Sequence, residues 1–370
     1  MSENTFGFIF HPILIREHVN KKFPPLGTIL PLSVINWACQ YFPPQYISEI
    51  TGITSQSTGE EIRGWFVAAP YTPQAMHDLP LEKVYRKIVD TINLAESKGA
   101  RIMGLGAHIA VVGDAGKTIA ERVSIPVTTG NSYTVSVAVD SMQEAARIMG
   151  TEMANAKVAV VGATGSIGKA CARVFASDCA ELILVGRDQA KTDAVRELCL
   201  GKHATVTATT NINTIYDADL VLTVSSAIDA IIEPRHLKPG SVVLDVARPR
   251  DVSPRVVAER DDVLVIEGGM VEVPGANVDF NFDFGFPPRK AFACMVETMA
   301  LAMEQRYENF TIGRDISPAQ VQEMRIMCAK HGFKLSGFRA FEHAVTQATI
   351  DTVRERAIAN LKVWRPAIPV

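Results

Sequence analysis

The stretch "PPRKAFACMVETMALAME" (287–304) places a cysteine, Cys294, near the start of an expected helix. Proline fixes φ near the helical value and lacks a donor that would be unpaired there anyway, so the helix is expected to begin close to Pro288. At about 100° per residue, Phe292, Met295, Val296, Met299 and Met303 fall in one apolar stripe and Cys294 falls roughly opposite. Exposed amides at a helix start, and the cations Arg289 and Lys290, both favour a thiolate. A thiolate so placed is suited to nucleophilic attack with a covalent intermediate. The competing reading is a small buried hydrophobe, packed through the face that Cys294 shares with Leu301.

A second group of residues suits anion binding. Gly162, Ala163, Thr164, Gly165, Ser166, Ile167 and Gly168 lie between the strand-like "KVAVV" and the helix-like "KACARVFA", with a further strand "ELILVG" beyond. Small residues there permit a tight turn and bring backbone amides close to a pyrophosphate, so a dinucleotide is expected. The second strand runs into Gly186 and Arg187. A guanidinium at that position suits the 2′-phosphate of NADPH, with Lys191 adding charge, whereas Asp188 would be a ribose ligand if the strand ended one residue later. Ser225, Ser226 and Arg248 follow later strands at the edge where such ligands lie, and Ser225 is taken as a cofactor contact.

The elements that must hold these residues are those of an α/β protein. At 370 residues and 47% hydrophobic content, the chain can fill more than one core. Residues 1–150 read as an α/β substrate-binding domain, with a strand in "GWFVAAPY", a helix in "LEKVYRKIVDTINLAESKG" and a strand in "ARIMGLGAHIAVVG". Residues 151–270 read as a Rossmann-like, doubly wound parallel sheet, with strands in "DLVLTVSSA", "SVVLDVA" and "DVLVIEGG". Residues 271–370 carry the cysteine helix and a helical C-terminal region. There apolar residues at 338, 341, 345, 348 and 353 roughly keep a helical period, for packing on the body or on a second copy in a homo-oligomer.

A net charge of -3 gives no general basic field, so nucleic acid is not an expected partner. The 6 cysteines show no Cys-x-x-Cys pair, which argues against both a zinc site and a disulfide framework and suggests a cytoplasmic protein. No uncharged apolar run reaches about 18 residues, so no membrane span is expected.

Taken together, "TTGNSYT" (128–134), "VVGATGSIG" (160–168), "EGGMVE" (267–272), "RKAFACMVE" (289–297), "GRDIS" (313–317) and "KHGF" (330–333) resemble the long-chain acyl-[acyl carrier protein] reductases of cyanobacteria. Order and approximate spacing match from about Phe6 to Phe338. The resemblance implies reduction of a fatty acyl thioester, on acyl carrier protein or coenzyme A, to a fatty aldehyde with NADPH. It also implies that the cysteine of Phe-Ala-Cys, here Cys294, takes up the acyl group. On that chemistry the oxyanion needs donors, for which the amides beside Cys294 and the polar turn with Thr129, Asn131 and Tyr133 are candidates. "TTGNSYT" could equally be a helix cap. His108 and His331 are candidates for proton transfer, each more naturally structural. Glu297 is given no catalytic role, because a carboxylate there opposes thiolate formation. The phenylalanines of "NVDFNFDFGFPP" could line an acyl tunnel or seal a domain junction. Two other readings stand beside this one: a non-covalent dehydrogenase resembling shikimate dehydrogenase, and a dinucleotide-binding regulatory protein.

Overall fold

In the computed structural model the described residues are 4–12, 16, 19–20, 24–227, 229–247, 249–268, 270–341 and 343–365. Arg248, and Gly269 within "EGGMVE", lie outside them. Two compact units emerge, both discontinuous in sequence. Unit 1 comprises Met1–Tyr133, Val271–Arg314 and Glu323–Lys334; unit 2 comprises Thr134–Met270, Asp315–Gln322 and Leu335–Val370.

Unit 1 is built on five strands: β1 (Thr5–Phe10), β2 (Gln45–Thr54), β3 (Glu61–Ala68), β4 (Met103–Leu105) and β5 (Val127–Thr128). Their order is β2-β3-β1-β4-β5, with β3, β1, β4 and β5 mutually parallel and β2 antiparallel at the edge. β1, "TFGFIF", is apolar on both faces, as a central parallel strand covered on both sides must be. One face is covered by the helix Leu81–Ser97, which buries Val84, Tyr85, Ile88, Ile92 and Ala95 at helical spacing. The cysteine helix, Ala293–Met303, packs against β1 and β4.

That helix differs from expectation in two respects. It begins at Ala293 rather than near Pro288, because Arg289 takes a left-handed φ of 62° and Lys290–Phe292 is extended. The Arg289 carbonyl accepts from the Val273 amide at 2.8 Å, an extended-chain bond that a helix begun at Pro288 would forgo. Cys294 is therefore the second helical residue, closer to the helix N-terminus than expected. The helix also has no single apolar stripe, since Ala293 and every residue from Met295 to Met303 is buried.

Unit 2 contains β6 (Lys157–Val161), β7 (Glu181–Val185), β8 (Thr205–Thr209), β9 (Leu220–Thr223), β10 (Val242–Asp245) and β11 (Leu264–Glu267). All pair in parallel, in the order β11-β10-β9-β6-β7-β8. This is the doubly wound Rossmann arrangement, and the strand order reverses between β6 and β9, the switch point where such sheets bind ligands. One side of the sheet packs Val158, Val160, Leu182 and Leu220 against Cys171 and Phe175 of the Ser166–Asp178 helix. The C-terminal region is less helical than the periodicity suggested. Gly337 and Phe341 have positive φ, Arg339–Ala340 pairs with His343–Ala344, and the helix begins at Gln347 and runs to Leu361. Its Ile350 and Val353 join the core of unit 2.

Candidate active site

In unit 1 the chemistry-bearing residues gather at the carboxyl ends of three adjacent strands. β1 is followed by His11, β4 by His108, and β5 by Thr129, Gly130 and Asn131. Ligands of open parallel sheets lie along this edge. The turn after β5 meets the cysteine helix. A Cβ built on Gly130, whose φ is 73°, would collide with the Cys294 Cα and Cβ and stand 2.5 Å from its carbonyl oxygen. Only a residue without a side chain permits that approach.

Glu297 fastens the two segments together. Fully buried, it accepts from the Thr128 hydroxyl at 2.5 Å and from the Tyr133 amide at 2.9 Å. The Thr311 side chain and the Ser132 amide also donate to it. Burial pushes its carboxyl up from the ordinary value of 4.5, against the pull of these four donors. The first-turn amides of the Asn131–Met149 helix are thus capped by a carboxylate distant in sequence. Thr311 continues the network: its carbonyl accepts from the Thr129 amide and hydroxyl, both at 2.9 Å, and its hydroxyl bonds Ser132 Oγ at 2.7 Å.

The remaining residues named from sequence occupy distinct places in this unit. Asn131 is buried, and its Nδ2 has no hydrogen-bond partner among the described residues. Tyr133 is buried with its phenol bonded to Cys328, and burial raises its pKa. The His108 amide donates to His11 Nε2 at 3.1 Å and the two rings meet edge to face, with centroids 6.3 Å apart. Burial lowers the His108 pKa. His11 was missed from sequence, although "FIFHP" could have flagged a histidine directly after a buried strand. His331 is fully buried between Ser55, 2.7 Å from Nδ1, and Glu304, 2.8 Å from Nε2.

The phenylalanines of 280–292 form a continuous row of ring contacts. Phe66 stacks on Phe280 at 5.9 Å, Phe280 meets Phe284 at 5.2 Å, Phe284 meets Phe286 at 5.6 Å, and Phe286 meets Phe292 at 4.3 Å. Phe292 is the residue before Ala293, so the row ends beside the cysteine turn in sequence. Phe282, Phe284, Phe286 and Phe292 are only half-buried.

In unit 2 the glycine turn joins β6 to the Ser166–Asp178 helix. Gly162, with φ 83°, would place a Cβ 2.7 Å from the Val224 carbonyl oxygen, and a Cβ on Gly168 would strike the Gly162 carbonyl. Ala163 is buried, Thr164 and Gly165 are exposed, Ser166 and Ile167 are half-buried, and no side chain caps the helix. Exposed small residues leading into an uncapped helix start are a fit for the pyrophosphate of a dinucleotide. Arg187 is exposed at the end of β7, with Nη2 3.4 Å from Ser226 Oγ. Asp188 caps the Gln189–Glu197 helix by accepting from the Lys191 amide at 3.1 Å. Ser225 is held by the buried Asp251, which accepts from its hydroxyl at 2.5 Å and its amide at 2.7 Å and from Thr223 Oγ1 at 2.6 Å. Among the described residues no group of three His, Cys, Asp or Glu could hold a metal ion.

Comparison with known proteins follows this division. Residues 143–267 match the shikimate/quinate 5-dehydrogenase family model. The chain is 31% identical to aminotransferase PigE of a Serratia species over 68% of its own length, and spans 30% of that protein. It is 29% identical to the long-chain acyl-[acyl-carrier-protein] reductase of Synechococcus elongatus, over 79% of this chain and 87% of that one. The L-tryptophan dehydrogenase of Nostoc punctiforme aligns at 16% identity over 97% of this chain and 89% of its own, with a TM-score of 0.37, a likeness that carries no functional argument.

Proposed function

We propose that the protein reduces a fatty acyl thioester to the aldehyde with NADPH, through an acyl group carried on Cys294. The observation that carries this reading is the collision-close packing of Gly130 on Cys294, with the buried, unpartnered Nδ2 of Asn131 next in sequence. The coarse class, a nicotinamide-dependent reductase or dehydrogenase, is supported by the Rossmann sheet, the match over 143–267 and the acyl reductase relative. The long-chain acyl-[acyl-carrier-protein] in that relative's name supports an acyl thioester here.

In the first half-reaction the Cys294 thiolate attacks the thioester carbonyl carbon. A new C–S bond forms, the old one breaks, and the carrier thiol leaves with a proton. The Cys294-side helix amides and Asn131 Nδ2 are the donors that would hold the tetrahedral oxyanion. Thr129 and Tyr133 serve by position: the Thr129 hydroxyl is bonded to Thr311, and the Tyr133 amide to Glu297. The dinucleotide, when bound, supplies the hydride that converts acyl-enzyme to hemithioacetal; collapse of the latter releases aldehyde and restores the thiolate. Gly162 to Gly168 would hold the pyrophosphate and Arg187 the 2′-phosphate, since Asp188 is occupied as a helix cap. His108, of lowered pKa, is the neutral proton carrier in this scheme. The half-buried phenylalanine row offers an apolar bed for a long acyl chain.

The match to the shikimate/quinate dehydrogenase model covers the nucleotide-binding sheet and stops before Cys294, so it leaves the covalent step to be tested directly. Intact-protein mass after mixing with long-chain acyl thioester, without NADPH, should rise by the acyl mass. Cys294→Ala should show no gain, and adding NADPH should discharge the unsubstituted enzyme as aldehyde. No acylation by either carrier at any chain length, with NADPH binding intact, would favour hydride transfer without a covalent intermediate.

A further inference from the structure

Between Lys22 and Glu49 the sequence carries no charged residue, yet residues 24–46 of unit 1 are largely exposed. It forms the short helices Leu26–Ile29 and Leu32–Cys39, in which only Gly27 and Ile35 are buried. Ile29 is 68% exposed, Trp37 61% and Tyr41 68%, with Leu32, Val34 and Tyr46 each above 40%. Single exposed apolar residues are ordinary on a protein surface; a continuous uncharged segment that displays this many marks an interaction surface.

The display is anchored in place. Arg16 donates to the Gly27 and Leu30 carbonyls at 2.8 and 3.1 Å, and Asn20 Nδ2 to Thr28 Oγ1 at 2.7 Å. Trp37 meets Tyr41 edge to face at 5.3 Å.

Cations border it. Lys83 Nζ lies 5.6 Å from the Tyr41 ring centroid and 3.2 Å from Gln40 Oε1, and Lys98 Nζ lies 5.4 Å from the Tyr46 ring. Lys87 donates to the Phe42 carbonyl at 2.6 Å, with Asp90 beside it. The neighbouring acids Glu49 and Glu82 are paired with Arg63 and Arg122, at 3.1 and 2.7 Å. Exposed aromatic rings and exposed aliphatic side chains in one uncharged segment, bordered by lysines, are the chemistry of a surface that meets an anionic bilayer. Among the described residues no helix is long and apolar enough to cross a membrane, so such a surface would lie on the bilayer.

We propose that the 24–46 segment is a monotopic docking surface that seats unit 1 on an anionic phospholipid bilayer. Ile29 and Trp37 enter the acyl boundary, and Lys83 and Lys98 meet lipid phosphates. The inference goes beyond the reductase reading and does not depend on it.

The test is flotation of the full chain with vesicles of phosphatidylcholine alone and with vesicles containing about a third phosphatidylglycerol. Binding is expected to the mixed vesicles, weaker by roughly tenfold or more on neutral ones or at high salt. Brominated lipid should quench tryptophan fluorescence, and Trp37→Phe should remove the quenched component. Ile29→Ser with Trp37→Ser should abolish flotation at unchanged circular dichroism. Lys83→Gln with Lys98→Gln, which leaves the apolar residues intact, should remove the salt-sensitive part. No flotation of the unsubstituted chain overturns the proposal. So does binding that survives both double variants. Concentration-dependent dimerisation, lost in Ile29→Ser with Trp37→Ser and unaccompanied by vesicle binding, would assign the surface to a second copy instead.

Discussion

Gly130 and Cys294 pack backbone to backbone, so closely that a methyl group on Gly130 would overlap the Cys294 Cα. Gly130→Ala must therefore both abandon a favourable φ of 73° and push the cysteine turn away. We expect a loss of roughly 2 to 4 kcal/mol of stability in unit 1. Acylation should slow further than the unfolded fraction explains, because the displaced part carries Cys294, the proposed nucleophile. Chemical denaturation and burst-phase acylation, measured on the same preparation, separate the two effects. Unchanged acylation in a folded variant would show that the close packing does not position the thiol.

Glu297 offers a pH signature. Its carboxyl is raised above the ordinary 4.5 by burial, so the folded state holds this proton more tightly than the unfolded chain does. The sign follows: the folded state is favoured below 4.5, and that advantage is lost as pH rises from 4.5 through the raised value, leaving a constant penalty above it. Glu297→Gln retains a hydrogen-bonding group but cannot ionise. Denaturation of both proteins across about pH 5 to 8 should show the difference between them shrinking as pH falls. A pH-independent loss in Glu297→Gln would mean instead that the four donors hold the carboxylate as an ion throughout.

Much of unit 2 was legible because its signals are local. "KVAVV", the glycine turn, one helix and "ELILV" follow one another directly, and each strand is four buried apolar residues after a charged one. Asp188 was ambiguous in sequence because a cap and a ribose ligand call for the same residue type; in the fold its Oδ1 accepts from the Lys191 amide as a cap. Unit 1 was harder. The tie between Glu297 and Thr128 spans 169 positions, and no spacing rule links them. From sequence, a carboxylate three residues from Cys294 reads as an electrostatic obstacle. In the fold it faces the opening amides of another helix. The start of the cysteine helix was misplaced for a similar reason: two prolines suit a helix start, but the extended 290–292 segment and the bond from Val273 to Arg289 are set by a distant partner.

Arg187 is exposed at the end of β7 and Asp188 is engaged as a cap, so discrimination between cofactors should rest on the guanidinium. Arg187→Ser should weaken NADPH binding by roughly tenfold or more while leaving NADH binding nearly unchanged, as loss of a charge-assisted phosphate contact requires. Fluorescence titration with both dinucleotides checks it. Equal weakening of both would show that Arg187 supports the turn rather than reads the 2′-phosphate.

Asn131 provides a sharper test of the oxyanion reading. Its Nδ2 is buried without a partner among the described residues, an arrangement that costs stability and makes sense if a ligand oxygen completes it. Asn131→Ala should slow acylation by roughly 100-fold or more, the usual effect of deleting one oxyanion donor, with NADPH affinity unchanged. The folded variant should be as stable as the parent or slightly more so, since a buried unsatisfied donor has been removed. Asn131→Asp places an acceptor where a donor is needed and should be at least as slow. The combination of lost rate with retained stability distinguishes a donor to the reacting carbonyl from an asparagine that merely packs, for which stability would fall and the rate per folded molecule would hold.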